Sequence, residues 1–314
     1  MKNDPFVQDR LAEIKVLDEQ IWERRCSPDV VELFLTGLSR STGLDVDDVT
    51  KQKALRCGAF LASRFHYFGA WEIRYLVRSV FRNLYIPRCQ RGGAGSVDEI
   101  AEMVNRTRFL GLGGPAKSGA YLLYMFRQEN RLKEELFPSL SEMFDCTEGK
   151  VSLSEEGVDS IVFLDDFAGT GTTALRSIKK RGHFLEVYKA GGDRKIHLYF
   201  LAATTRALDK IRGNTLIDSV GSVLELDDSY RALDVGSRYF RSHSLSLDFS
   251  RGDASALLER VARSTACSEP MGFGGCQLLL GFHHNTPNNT LPVFWSDSGE
   301  WSPLFCRSPR PVWG

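Results

Sequence analysis

The chain has 314 residues, of which 40 are lysine or arginine and 40 are aspartate or glutamate, so its formal net charge at pH 7 is zero. This balance excludes the general positive field that attracts nucleic acid, although local basic patches stay open. The hydrophobic share of 42% is ordinary for a globular protein and leaves enough apolar residues for one large core or two smaller ones.

Seven cysteines are scattered along the chain without a Cys-x-x-Cys pair. Their odd number and wide spacing favour reduced thiols and argue against a disulfide framework or a zinc site made of protein ligands. The N-terminus contains no apolar signal segment, and no apolar run reaches the length of a membrane span. We therefore predict a cytoplasmic protein that does not use a membrane.

Residues 1–90 are predicted to form a helical N-terminal region because their apolar positions recur at helical spacing. Ser27, Pro28 and Asp29 are typical of a helix start, where serine caps free amides and proline fits the first turn. We expect this region to form a packing or partner surface without a catalytic residue. Its last helix carries aromatic residues at helical intervals, which are predicted to lie in the core: Trp71, Tyr75, Phe81 and Tyr85.

Residues 89–96 form the clearest linker candidate, since they contain the sequence RGGAG. After it, short apolar runs alternate with helical patterns, and the predicted strands are 109–112, 161–164, 196–203, 220–226 and 278–282. Such alternation predicts an α/β domain over residues 96–314, in which a mostly parallel sheet is flanked by helices in Rossmann-type layers. Residues 161–164 are expected to form a central strand.

The sequence IVFLDDFAGTGTT at residues 161–173 combines a buried strand, two carboxylates and a small-residue loop before a helix. Ligands of open α/β sheets bind beyond the carboxyl ends of the strands, where Asp165 and Asp166 would lie. The glycines allow backbone amides to approach an anion, which the helix N-terminus also favours. The carboxylates suit sugar hydroxyls or hydrated magnesium. The alternative is a capped helix without a ligand.

A second loop, GGPAKSG at residues 113–119, follows the predicted strand 107–112 and precedes a predicted helix over 120–132. Residues 111–118 come close to the GxxxxGK[ST] pattern of P-loop nucleotide hydrolases, and residues 161–165 could supply the magnesium-binding acid of that class. However, Ala116 replaces the required glycine, and Pro115 removes an amide donor from the phosphate loop. The P-loop interpretation stays open as an alternative.

Residues 161–173 resemble the phosphoribosyl diphosphate motif of type I phosphoribosyltransferases, which also have the diphosphate loop before the 5′-phosphate loop. The resemblance implies that Asp165 and Asp166 hold the ribose hydroxyls and, through water, Mg²⁺. It also implies that Lys117 neutralises the leaving diphosphate and that Ser118 and Gly119 contact it. The remaining ligand-binding residues implied by the resemblance surround the 5′-phosphate: Ala168, Gly169, Thr170, Gly171, Thr172 and Thr173.

The C-terminal sequence NTPNNTLPVFW at residues 285–295 favours an ordered loop, since its prolines and asparagines disfavour a helix, with Phe294 and Trp295 as buried anchors. It resembles a narrower group, the phosphoribosyltransferase-like proteins of bacterial conflict systems, which occur in antiphage loci including retrons. This resemblance implies a toxic defence effector that acts with a partner protein or with an RNA or DNA complex. An oligomer of the chain is a further candidate. His283 and His284 are candidate acid-base groups, with a structural role as the alternative.

Two functional hypotheses follow from these patterns. The first is a magnesium-dependent transferase that breaks the bond between C1 and the diphosphate of phosphoribosyl diphosphate, or a related nucleotide bond, and passes the ribosyl phosphate to an acceptor. The second is a non-catalytic nucleotide-sensing or assembly subunit of a defence complex, because one fold can host unrelated functions. Neither the acceptor nor a general base can be named from the sequence.

Overall fold

The computed structural model describes residues 4–41, 47–91, 96–113, 118–241, 247–264, 267–297 and 302–307. Residues 92–95 of the predicted linker lie outside these ranges. Within them, no helix is both long enough and apolar enough to cross a membrane.

The helical patterns and short apolar runs that alternate in the sequence correspond to helices and strands in the structure. The helices are α1 Pro5–Gln20, α2 Pro28–Ser41, α3 Asp48–Ser63, α4 Ala70–Arg91, α5 Val97–Asn105, α6 Ser118–Asn130, α7 Leu140–Met143, α8 Thr172–Lys180, α9 Gly182–Ala190, α10 Thr205–Arg212 and α11 Arg251–Ser264. The strands are β1 His66–Phe68, β2 Thr107–Gly111, β3 Phe144–Thr147, β4 Lys150–Leu153, β5 Ser160–Ala168, β6 Lys195–Thr204, β7 Ser219–Leu226 and β8 Leu280–Phe282.

Several helices begin at side chains that satisfy their free amides. The Asp4 carboxylate accepts hydrogen bonds from the amides of Phe6 at 3.1 Å and Val7 at 3.4 Å, where α1 begins. At α5, Ser96 and Glu99 form a reciprocal capping box. The starts of α1 and α5 are therefore encoded by residues close in the sequence.

The contacts of the chain divide it into two compact units, the first of which comprises Met1–Ala70 and Asp227–Gly314. Its core is rich in aromatic side chains, among them Phe34, Phe60 and Phe294, which are fully buried. The predicted strand 278–282 belongs here and not to the main sheet, because residues 280–282 pair in parallel with β1. The division of the sequence into a helical region 1–90 and a domain 96–314 stays a prediction.

The second unit, Trp71–Leu226, contains the predicted parallel sheet. The strand order is β2-β5-β6-β7, and every pairing in this sheet is parallel. The strand that carries the acidic pair, β5, has a neighbour on each side, so the prediction of a central strand is confirmed. The segment between α6 and β5, which had no interpretable motif, contains the antiparallel hairpin of β3 and β4.

The aromatic residues of α4 do not all lie in the core, which corrects the expectation for Trp71 and Tyr75. Tyr85 is buried and its ring packs against Phe81, whereas Trp71 and Tyr75 are 66% and 63% exposed. At about 100° per residue, Trp71 and Tyr75 lie roughly 80° around the helix from Phe81 and Tyr85, so the two pairs point in different directions.

Candidate functional site

The carboxyl ends of β2, β5 and β6 meet at one edge of the sheet. Gly111, the last residue of β2, pairs with Leu164 of β5, while the pairing of β5 with β6 continues to Ala168 and Ala203. β5 is therefore longer than the predicted strand 161–164, because it continues to pair with β6 beyond the last residue of β2. The acidic pair lies in this extension, where β2 no longer covers it.

Asp165 and Asp166 occupy unequal environments. Asp166 is 5% exposed, whereas Asp165 is partly exposed and accepts hydrogen bonds from the hydroxyl of Ser118 and the amide of Asp166, both at 3.1 Å. Burial, together with the nearby charge of Asp166, raises the pKa of Asp165 to about 8, against the opposing effect of those hydrogen bonds. Burial and the neighbouring carboxyl group therefore disfavour the charged form of Asp165.

The contact between Ser118 and Asp165 joins the start of α6 to the carboxyl end of β5, although 47 positions separate the two residues in the sequence. Gly119 lies against the end of β2, since a Cβ at this position would be 3.3 Å from the Cα of Gly111. A side chain at this position would therefore press on the backbone at the end of β2. Residues 114–117 lie outside the described ranges, so the role of Lys117 stays a prediction.

The loop between β5 and α8 ends in a glycine with a left-handed backbone conformation. Gly171 has a φ of +71° and precedes the first turn of α8, which begins at Thr172, one residue before the predicted start. The hydroxyl of Thr170 donates to that of Thr172 at 3.1 Å and so links the loop to the first residue of α8. Ala168 and Gly169 are buried, and Thr173 is exposed. Free amides in the first turn of a helix are a general binding site for phosphate.

Thr204 and Lys210 also contact this loop, and the sequence analysis missed both. The hydroxyl of Thr204 caps α10 and donates to the carbonyl of Gly169 at 2.6 Å. The ammonium of Lys210 donates to the hydroxyl of Thr172 at 3.0 Å. The position of Thr204 directly after the predicted strand 196–203 was an available signal. No local pattern marks Lys210, because its contact depends on how α10 packs.

Arg181, at the end of α8, supports the start of the first loop. Its guanidinium donates to the carbonyls of Leu112 at 3.1 Å and Gly113 at 3.3 Å, and the hydroxyl of Ser177 also donates to Leu112. From the sequence alone, a basic residue at this position is explained by the favourable interaction of cations with a helix C-terminus. Its contacts make it a positioning residue for Leu112 and Gly113, directly after β2.

We expect Arg181→Met to lower the free energy of unfolding by about 1–2 kcal/mol, because two carbonyls lose a donor. Amides of residues 111–113 should exchange hydrogen faster in this variant. The control is Lys180→Met, which removes the same charge from the neighbouring exposed position. Urea unfolding and hydrogen exchange measure both effects, and equal behaviour of the two variants would contradict the positioning role.

The C-terminal sequence 285–295 forms an ordered segment of the first unit. Its polar side chains donate to backbone carbonyls: Thr286 to Phe305 at 3.1 Å, Asn289 to Phe273 at 2.9 Å, Thr290 to Leu280 at 2.6 Å and Trp295 to Thr290 at 2.8 Å. Phe294 is fully buried, as expected, whereas Trp295 is only partly buried. These contacts give the segment a structural role, since each side chain satisfies a backbone carbonyl.

His283 lies in an ion-pair cluster of the same unit. Its Nδ1 is 2.6 Å from a carboxylate oxygen of Glu23, and Arg25 donates to its carbonyl at 2.7 Å. These contacts explain the position of the ring without a ligand. The hypothesis that His283 or His284 acts as an acid-base group stays a prediction.

The described ranges contain no group of three or more His, Cys, Asp or Glu side chains that could hold a metal ion. The donors at the sheet edge are the carboxylates of Asp165 and Asp166 and the hydroxyl of Ser118, all of them oxygen atoms. Such a donor set suits Mg²⁺, which commonly keeps several waters and is bound together with substrate phosphates. The residues therefore fit a magnesium ion that arrives with a phosphorylated ligand.

The PRTase-CE family model matches residues 47–307, which is most of the chain. The chain belongs to the PRTase-CE family. The phosphoribosyltransferase-like resemblance of residues 161–173 is thus confirmed, and the match includes both loops and the C-terminal segment 285–295. A comparison with curated proteins gives no match.

Solved phosphoribosyltransferases show weak similarity over about half of the chain. Orotate phosphoribosyltransferase from Aeropyrum pernix has 17% identity and a TM-score of 0.25, covering 49% of this chain and 70% of its own. Xanthine-guanine-hypoxanthine phosphoribosyltransferase from Helicobacter pylori has 11% identity and a TM-score of 0.29, covering 52% of this chain and 86% of its own.

The contact between Ser118 and Asp165 agrees with both interpretations of the first loop. In a P-loop enzyme, the serine or threonine after the lysine and an acid on a neighbouring strand hold the same magnesium ion. The family match favours the phosphoribosyltransferase-like interpretation for this chain.

Proposed function

We propose that this protein is an enzyme that binds phosphoribosyl diphosphate, or a related nucleotide, with Mg²⁺ and transfers the ribosyl phosphate to an acceptor. The observation that carries the proposal is the contact of Ser118, at the start of α6, with Asp165, near the carboxyl end of β5, which brings the two predicted ligand motifs to one sheet edge. The family of the chain supports the same ligand class.

The proposed reaction breaks the bond between C1 and the diphosphate, and positive charge develops on the ribose as that bond lengthens. Asp165 and Asp166 hold the ribose hydroxyls and place negative charge next to the sugar, which stabilises this transition state. The amides and hydroxyls of residues 169–173 bind the 5′-phosphate and fix the orientation of the ring. Lys117 would neutralise part of the charge on the leaving diphosphate, and Mg²⁺, held through water by Asp165 and Asp166, would supply further positive charge there.

The proposal extends to a setting through the resemblance of residues 285–295. We propose that the protein acts in the bacterial cytoplasm as a toxic effector of antiphage defence, together with a partner protein or an RNA or DNA complex. Expression of the wild type with its neighbouring genes, with and without phage, tests this part. Growth arrest that is equal for the wild type and for Asp165→Asn with Asp166→Asn would contradict a toxic enzymatic activity.

The decisive experiment uses phosphoribosyl diphosphate labelled in the diphosphate, Mg²⁺ and cell extract as the source of acceptor. Calorimetry measures binding, and release of labelled diphosphate measures turnover. We expect both with the wild type. Binding without release in any extract would favour the nucleotide-sensing alternative, and absence of binding would contradict the proposed ligand class.

A further inference from the structure

Lys210 gives the predicted phosphate loop a positive charge that its own sequence lacks. The ammonium donates to the hydroxyl of Thr172 at 3.0 Å, and that hydroxyl in turn accepts from Thr170 at 3.1 Å. The neighbouring carboxylate, Asp209, is bonded to Arg212 at 2.6 Å. Within the described ranges, the hydrogen-bond partner of Lys210 is thus a neutral hydroxyl, and its charge is left for an anion at the loop.

The position of Lys210 is fixed because α10 contacts the loop at further points. Thr204, which caps this helix, donates to the carbonyl of Gly169 at 2.6 Å. A Cβ at Gly171 would lie 3.0 Å from the carbonyl oxygen of Ala207 and 3.2 Å from the side chain of Ile211. The helix therefore packs directly against the loop, and Lys210 is one turn further along the same helix than Ala207. Its ammonium can reach the loop without a rearrangement of the backbone.

We propose that Lys210 is a specificity-determining residue that selects ligands with a terminal, doubly charged 5′-phosphate over ligands whose 5′-phosphate is esterified. This inference rests on the proposed function of the site. A phosphomonoester carries a charge of about −1.5 to −2 at neutral pH, whereas a diester carries a single charge. Amides and hydroxyls bind both forms, but an additional ammonium favours the form with the greater charge. Phosphoribosyl diphosphate and nucleoside 5′-monophosphates are therefore preferred, and dinucleotides are disfavoured.

Calorimetry with ribose 5-phosphate and with its methyl phosphate ester tests the selection without any turnover. We expect the wild type to bind the monoester about 10-fold more tightly than the methyl ester, an effect moderated by the exposure of Lys210. Lys210→Met should bring the two affinities to within roughly twofold, mainly by weakening the monoester, and Lys210→Arg should restore much of the difference. An unchanged preference in Lys210→Met would overturn the inference.

The control is Lys179→Met, which removes one exposed charge from the last turn of α8 and should leave the preference unchanged. A loss of preference in this control would assign the effect to the net charge of the protein and overturn the role of Lys210. The two proposals fail differently. If the wild type binds phosphoribosyl diphosphate but Lys210→Met keeps the wild-type preference, only the inference fails, whereas no binding by the wild type contradicts the proposed function itself.

Discussion

Asp165→Asn combined with Asp166→Asn is expected to remove binding of phosphoribosyl diphosphate with Mg²⁺ while the protein stays folded. Each carboxylate contributes charge-assisted hydrogen bonds of about 1.5–3 kcal/mol, so the double variant should bind on the order of 100-fold to 10,000-fold more weakly. Diphosphate release should fall at least as much, because the charge of the pair also stabilises the transition state. Calorimetry and the labelled-diphosphate assay measure the two effects.

The same variant should be at least as stable as the wild type, because burial and mutual repulsion disfavour the charged pair. The pKa of Asp165 is raised to about 8 from an ordinary value of 3.8. Between these values the folded protein keeps a proton that the unfolded chain has lost, so the free energy of unfolding contributed by Asp165 falls as the pH rises through this range. The difference in free energy of unfolding between the variant and the wild type should therefore grow with pH between 3.8 and about 8 and level off at higher pH. Urea unfolding at pH values below, within and above this range measures the difference.

The matched control is Asp145→Asn with Glu148→Gln, which removes two exposed carboxylates from the hairpin of β3 and β4. It changes the formal charge of the protein by the same amount and should leave ligand binding unchanged. If the acidic pair were only structural, the Asp165 and Asp166 variant would instead lose thermal stability and keep its ligand affinity.

Gly171→Ala is expected to destabilise the second unit by about 2–4 kcal/mol. The φ of +71° costs an L-residue part of this, and the rest comes from the new Cβ, which would lie 3.0 Å from the carbonyl oxygen of Ala207. Since that carbonyl is backbone, either α10 or the phosphate loop must move. We expect binding of phosphoribosyl diphosphate to be lost in the same variant.

Gly149→Ala separates the two causes, because Gly149 has a similar φ of +78° but no neighbouring atom within 4 Å of the new Cβ. This control should cost only the conformational strain, about 1–2 kcal/mol, and retain ligand binding. Chemical unfolding measures the stability of both variants, and calorimetry measures their ligand binding. Equal loss of stability, or ligand binding that survives in Gly171→Ala, would contradict the packing of α10 against the loop.

The sequence by itself determined the elements and most of the candidate site. Helical spacing, the capping residues and the short apolar runs predict the N-terminal helices and the strands β2, β5, β6 and β7, because these signals depend on residues close in the chain. The motif at residues 161–173 placed Asp165 and Asp166 at the carboxyl edge, since parallel strands end on the same side of a sheet. The family match over residues 47–307 agrees with that motif.

Only the tertiary structure decided which distant segments meet. β8 pairs with β1 outside the main sheet, although its apolar run is similar to those of the other strands. Trp71 and Tyr75 are exposed, because the orientation of α4 depends on what it packs against. Lys210 reaches Thr172, 38 positions away, only because α10 lies against the phosphate loop. Such contacts depend on the packing of elements far apart in the chain, which local periodicity does not encode.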